Sequence, residues 1–129
     1  MGTFKEKILI INAEKPELKT EIECVVDSGA TYTWIPSKIL RKLGYKPEYK
    51  QEFKIADGSI ITRDACWIKI FLKDSIRPTL AVFGDENSEA LLGAFTLEGF
   101  CLAVDNVNKN LIPVPALLLS FLKKKIRVI

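Results

Sequence analysis

Asp27 closes a short apolar run, Val25-Val26, and leads directly into Ser28, Gly29, Ala30 and Thr31. A carboxylate at the mouth of a strand can exchange protons with a bound water, provided that it is held in place. The chain has no histidine. That excludes Ser-His and Cys-His nucleophiles, and with them the commonest zinc ligand. Acid-base work therefore falls to carboxylates or lysines. The three cysteines, Cys24, Cys66 and Cys101, are widely spaced and form no C-x-x-C pair, so neither a disulfide framework nor a metal site is expected. A reducing compartment fits this usage. Asp105 also follows an apolar strand, but Asn106-Val107 lacks the Ser/Thr-Gly that would repeat the Asp27 pattern. Asp64, Asp85 and Asp105 read as solvated side chains.

The elements that must position Asp27 are mostly strands. Lys7 to Asn12 and Leu18 to Val26 are predicted to pair as a hairpin around the turn Glu14-Lys15-Pro16-Glu17, where proline presets the backbone angle. Pro36-Ser37 opens a short helix with Ile39, Leu40 and Leu43 on one face, and Gly44 ends it. Asp57-Gly58 between the apolar residues Ile55 and Ile60 is a strong hairpin signal, both turn positions being open to positive φ. As a plain reading it is a turn and nothing more. Ala65 to Lys73 and Pro78 to Phe83 are two further strands. Ala90-Leu91-Leu92-Gly93 is a short apolar strand followed by one or two helical turns to Glu98. Cys101 to Val104 and Leu111 to Val114 flank an Asn-rich turn, and Ala116 to Lys125 reads as a terminal helix. Many short strands with few helices predict an all-β, barrel-like fold. Cys24 and Cys66 are expected as small buried hydrophobes. Trp34 is expected in the core, with a second reading in which it braces a neighbouring hairpin.

At 129 residues and nearly half apolar, the chain has the size of one domain with one core. The net charge of +3 and pI near 8.7 are mild, and charges of both signs are interspersed. No basic face of the kind nucleic-acid binders carry is evident, so no nucleic-acid partner is expected. Lys123, Lys124, Lys125 and Arg127 read as a solvated end. Ile8 to Ile11 is too short for a signal peptide, and no run reaches the ~18 apolar residues of a membrane span. A soluble, cytoplasmic protein is expected.

Three pieces fall in a telling order: Val25-Val26-Asp27-Ser28-Gly29-Ala30-Thr31, then Ala56-Asp57-Gly58-Ser59 roughly thirty residues on, then Leu91-Leu92-Gly93-Ala94-Phe95. Over residues 7–114 this resembles the retroviral-type (retropepsin-like, clan AA) aspartic proteases and their stand-alone cellular and prokaryotic relatives. Residues 27–37, Asp27-Ser28-Gly29 through Trp34-Ile35-Pro36-Ser37, are also similar to the Asp-Thr-Gly…Trp-Val-Pro-Ser run of pepsin-like enzymes.

The resemblance implies a small closed barrel of the acid-protease type with short helices. It implies a homodimeric aspartic endopeptidase that acts on extended or unfolded peptide without metal or cofactor. One carboxylate takes a proton from water while a second, protonated, polarises the peptide carbonyl. Two such close groups cannot both ionise cheaply, so they titrate as a pair. The chain carries one such motif, so a two-fold dimer must supply the second Asp27. Asp27, Ser28 and Gly29 would form the catalytic loop, with Ser28 bracing the pair across the axis. Ala30, Thr31 and Leu91 would contact substrate. The hairpin Ile55, Ala56, Asp57, Gly58 and Ser59 would be the flap that closes over the peptide and pairs with its backbone.

The sequence departs from the retroviral pattern at two linked positions. Thr31 and Ala94 stand where those enzymes carry an aspartate and an arginine that pair at the dimer interface. Losing both together strands no buried charge, but it motivates an alternative reading: a non-catalytic dimerisation or peptide-binding module on the same fold. The flap has one glycine at its tip and should be stiff. Residues 1–114 are read as the protease domain. Residues 115–129 are read as an apolar and basic extension that packs on the barrel or on the partner subunit.

Overall fold

The computed structural model describes residues 3–116. Strand β1 (Lys5–Ile11) and strand β2 (Lys19–Val26) form the expected antiparallel hairpin, in register from Lys5 opposite Val25 to Ile11 opposite Lys19. Their alternation sends Ile8, Ile10, Cys24 and Val26 inward. The turn between them is organised by Asn12 rather than by Pro16 alone: its side-chain oxygen accepts from the amides of Glu14 and Lys15 at 2.9 and 2.7 Å. The Asn12 side-chain amide also donates to the Leu43 carbonyl at 2.7 Å, which ties the hairpin to the end of helix α1 (Ser37–Lys42). Gly44 follows that helix at φ 87°.

The strand not legible in the sequence is β3 (Thr33–Pro36), which lies inside the Asp27 motif itself. It pairs in parallel with β6 (Ser75–Gly84), and Trp34 faces Leu91 of β7 (Leu91–Leu92). Strand β7 also pairs in parallel with β2, Val25 opposite Leu91 and Val26 opposite Leu92. Strand β4 (Tyr49–Lys54) pairs with the first part of β5 (Ile60–Leu72). The remainder of β5 pairs with β6 on one side, while Lys69 to Phe71 pair with β1 on the other. The order β1-β2-β7-β3-β6-β5 therefore closes on itself through β1 and β5, and β4 is left as an appended edge. Closure spares the six strands of the ring the free edges that an open sheet would leave, and among the described residues of this sheet only β4 presents one.

The expected strands at 65–73 and 78–83 are longer than predicted. Strand β5 begins at Ile60, and β6 begins at Ser75, opposite Leu72. Pro78 does not interrupt β6, where it sits opposite Lys69. The chain ends its described course with α2 (Ala94–Gly99) and a two-stranded hairpin of β8 (Leu102–Asp105) and β9 (Asn110–Pro113). The terminal helix expected at Ala116–Lys125 falls, but for its first residue, outside the described residues, as does the rest of the proposed extension.

The core fills the ring. Ile8, Ile10, Ile35, Ile68, Ile70 and Leu92 are essentially inaccessible, and Leu40, Leu97 and Phe100 of the helical segments close it off. Cys24 and Cys66 are both buried free thiols within this core, the role their chemistry suggests. Among the described residues no helix is long and apolar enough to cross a membrane.

Candidate active site

Asp27 is the first residue past β2 and is half-buried, whereas Ser28 and Gly29 are exposed. The loop turns back at once: the Ala30 amide donates to the Asp27 carbonyl at 3.1 Å. The Gly29 amide donates to Asp27 Oδ1 at 3.0 Å, which fixes the carboxylate, and among the described residues its second oxygen has no donor. Asp27 and Ser28 line a small surface cavity together with Phe4, Val26, Val104 and Asn106.

The loop is held from behind by a continuous seam of main-chain bonds. The Val25 amide donates to the Ala90 carbonyl at 2.8 Å, and the Asp27 amide to the Leu92 carbonyl at 3.0 Å. One turn later the direction reverses: the Ala94 and Phe95 amides donate to the carbonyls of Ala30 and Thr31, both at 2.8 Å. Helix α2 has no side-chain cap. Its first amides, which every helix leaves without an internal partner, are satisfied by the carbonyls of the Asp27 loop. The positions where retroviral enzymes place an ion pair, Thr31 and Ala94, thus lie in segments joined through the backbone. Between them, Gly93 is buried and donates its amide to Thr33 Oγ1 at 3.0 Å.

The remaining expected substrate contacts lie in the loop itself, in β7 and at the tip of the β4–β5 hairpin. Ala30 is half-buried and Thr31 is exposed. Leu91 is half-buried beside Trp34. Ile55, Ala56, Asp57, Gly58 and Ser59 are all exposed at the tip of the β4–β5 hairpin. The tip differs in type from the two-residue turn suggested by Asp-Gly. The Gly58 amide donates to the Ile55 carbonyl and the Ile55 amide to the Ser59 carbonyl, both at 2.9 Å. This is a three-residue loop in which Gly58 alone has positive φ, at 89°. Asp57 keeps an ordinary backbone because its carboxylate accepts from the Ser59 amide at 2.8 Å and from the Ser59 hydroxyl at 2.6 Å. Those two bonds hold the Asp57 carboxyl below its usual range.

Aromatic rings connect the hairpin to the loop. Phe53 of β4 packs on Trp34 at 4.9 Å between centroids and edge-on to Tyr32 at 6.3 Å. Tyr32 in turn meets Phe95 of α2 at 5.8 Å. Trp34 is half-buried rather than a core residue, and it touches the hairpin stem. Tyr32 falls within residues 27–37 and Phe95 closes the Leu91–Phe95 run, but the sequence gives neither ring, nor that of Phe53, a role in joining the hairpin to the loop. Their only signal there is their aromatic type, since nothing in the spacing joins positions so far apart. Among the described residues no group of three or more cysteines, aspartates or glutamates is arranged to hold a metal ion.

A ring of sheet, an Asp-Ser-Gly loop clasped from behind and a hairpin packed beside that loop together make an arrangement of the acid-protease type. The family model described as aspartyl protease matches residues 15–95, more than half of the chain. The chain belongs to the aspartyl protease family, enzymes that hydrolyse peptide bonds. A search of curated proteins gave no match. Among solved structures, the protease of simian foamy virus (mac) aligns with a TM-score of 0.54 at 17% identity, over 73% of this chain and 91% of that one. A retropepsin-like aspartic protease from Rickettsia conorii aligns with a TM-score of 0.53 at 18% identity, over 86% of this chain and 91% of that one. At such identities the likeness is one of fold, and it agrees with the retropepsin-like architecture expected of the sequence.

Proposed function

We propose that this protease works as a homodimer whose two Asp27 carboxyl groups, one per subunit, share a proton and activate a single water against an extended peptide. The observation that carries the proposal is the state of the Asp27 loop. Its carboxylate is fixed by Gly29 at 3.0 Å, its backbone is clasped by residues 92–95, and its outer face, Ser28 and Gly29, is exposed. A loop so firmly held from within and so open outward is suited to meet its own copy across a two-fold axis. In that arrangement one Asp27 accepts the proton of the water, the other donates a hydrogen bond to the substrate carbonyl, and the pair exchange roles as the tetrahedral intermediate collapses.

Ser28 would brace the two loops across the axis, and Gly29 would let the substrate backbone approach. Ala30, Thr31 and Leu91 would line the peptide's path on one side, and Ile55 to Ser59 would cover it on the other. The exposed edge of that hairpin can add to an extended peptide as a neighbouring strand. Closure would exclude all water but the reacting one.

Asp27→Asn tests the chemistry. The variant should keep the association state of the wild type and lose cleavage of a labelled unfolded protein. Dilution tests the shared site: specific activity per subunit should fall as subunits separate, in step with the dimer fraction measured by analytical ultracentrifugation. Constant activity per subunit through monomerisation is incompatible with a site built from two chains.

A further inference from the structure

Only three polar side chains are fully buried among the described residues: Thr33, Thr79 and Thr96. They come from three different elements, β3, β6 and α2, and they form one hydrogen-bonded string. Thr33 Oγ1 lies 2.6 Å from Thr96 Oγ1, and Thr96 Oγ1 lies 2.8 Å from Thr79 Oγ1. The string ends on the Gly93 amide, which donates to Thr33 Oγ1 at 3.0 Å. Placing hydroxyls in an apolar core costs free energy unless each finds a partner, and apolar residues of the same shape would fill the space without that demand. What the string adds is direction. Thr96 stands between two hydroxyls and has one proton, so it donates to at most one neighbour and accepts from at least one. Its position is set from both sides.

That position matters because of what is attached to it. Thr96 lies in the first turn of α2, just past Ala94 and Phe95, whose amides hold the carbonyls of Ala30 and Thr31. Gly93, at the other end of the string, follows Leu92, whose carbonyl holds the Asp27 amide. We propose that Thr96 is a positioning residue for the proteolytic reaction: through Thr33 and Thr79 its hydroxyl registers the Gly93–α2 junction against β3 and β6, and so fixes the loop that carries Asp27. The catalytic half of this statement rests on the proposed function above. The structural half, that the Thr96 hydroxyl governs the order of the Asp27 loop, stands without it.

The test is a pair of near-isosteric variants. Thr96→Val keeps the shape and removes the hydroxyl; Thr96→Ser keeps the hydroxyl and removes a methyl group. Amide hydrogen exchange should rise about tenfold or more at Asp27, Ala94 and Phe95 in Thr96→Val, with Ile68 and Ile70 of β5 unchanged, and Thr96→Ser should restore protection. In cleavage of a labelled unfolded protein, Thr96→Val should lower kcat about tenfold to a hundredfold with KM little altered. The string contains no group that titrates, so the loss should be the same at every pH and the limbs of the pH profile should stay in place. A uniform rise in exchange over the ring, or an unchanged kcat with a lower melting temperature, assigns Thr96 to packing alone and overturns the proposal. Asp27→Asn run in parallel separates the two readings: if it cleaves as the wild type does, the catalytic reading falls, while the exchange data still judge the role of the hydroxyl. Should Thr96→Val not fold, Thr79→Val, at the far end of the string, is carried through the same measurements with the same expected pattern at smaller amplitude.

Discussion

Gly93 lies so close to Tyr32 that a β-carbon on it would sit 2.5 Å from the Tyr32 carbonyl oxygen and 2.6 Å from the carbonyl carbon, with the Ala30 oxygen at 2.9 Å. All three are backbone atoms of the loop that follows Asp27, so no side-chain rotation can relieve the overlap. Glycine at this position is what lets strand β7 turn into α2 directly behind the loop. Gly93→Ala should therefore force the seam apart. The expected cost is about 1–3 kcal/mol of stability, as for overpacking in a core, with cleavage lost beyond what that cost explains. Urea denaturation gives the first quantity. A midpoint equal to that of the wild type would show that the loop and β7 are not held in this contact.

The tip of the β4–β5 hairpin should keep its shape in acid. The Asp57 carboxyl is held below its usual value of 3.8, first by the Ser59 hydroxyl and then by the Ser59 amide. A carboxyl lowered in the folded turn stabilises that turn above its ordinary pKa, and the contribution is lost only as pH falls through the lowered value. The Asp57 titration followed by NMR should thus have its midpoint below 3.8, and Ser59→Ala, which removes the hydroxyl donor, should move it upward. A wild-type midpoint at or above the ordinary value, or one indifferent to Ser59→Ala, contradicts the observed turn.

The thiols should divide into two classes. Burial pushes Cys24 up to about 12, with Glu6 adding to the effect. Burial likewise pushes Cys66 up to about 12, with Glu48 adding to it. A thiol is reactive as the thiolate, so the native protein should expose to Ellman's reagent only Cys101, the half-buried one. All three should react once the chain is denatured. The same shifts carry a stability consequence. The folded pKa values lie above the unfolded ones, so the contribution of these protonated thiols is complete below about 9 and is lost as pH rises toward 12. Fast labelling of all three thiols without denaturant would show that the core is not closed as described.

The stem of the β4–β5 hairpin depends on the pair Trp34 and Phe53, 4.9 Å apart and inclined at 44°. Phe53→Ala should cost about 0.5–1.5 kcal/mol for the ring pair beyond the area exposed. Because Phe53 sits on the appended strand β4, outside the closed ring, the loss should be local. Amides of 49–64 should exchange faster while those of β1 and β2 keep their protection. Equal acceleration in both regions would mean that the hairpin is not separately anchored.

Much of the fold was legible because it rests on local rules. The β1–β2 hairpin, the short α1, the short strand at Leu91-Leu92 and the β8–β9 hairpin all follow from alternation, turn residues and short apolar runs. The misjudged details have physical causes. Asp57-Gly58 suggested a two-residue turn, but the Asp57 carboxylate bonds forward to Ser59 and leaves the positive φ to Gly58 alone. Strand β3 was hidden because Thr33–Pro36 is too short for a period to show, and it is a strand only because β6 and β7 flank it. Trp34, expected in the core with bracing of the hairpin as the second reading, is half-buried because the appended strand β4 gives it a partner in Phe53.

By itself the sequence determined the chemistry on offer and the family: no histidine, one Asp-Ser-Gly after two valines, and the Leu-Leu-Gly run downstream. Residue type and local order are properties of the chain, and they survive without coordinates. Only the tertiary structure decided how Asp27 is held. The seam to residues 92–95, the parallel insertion of β7 between β2 and β3, and the threonine string from β6 through α2 and β3 to Gly93 all join segments far apart along the chain. Such contacts exist only once the ring has closed and brought their partners within hydrogen-bond reach.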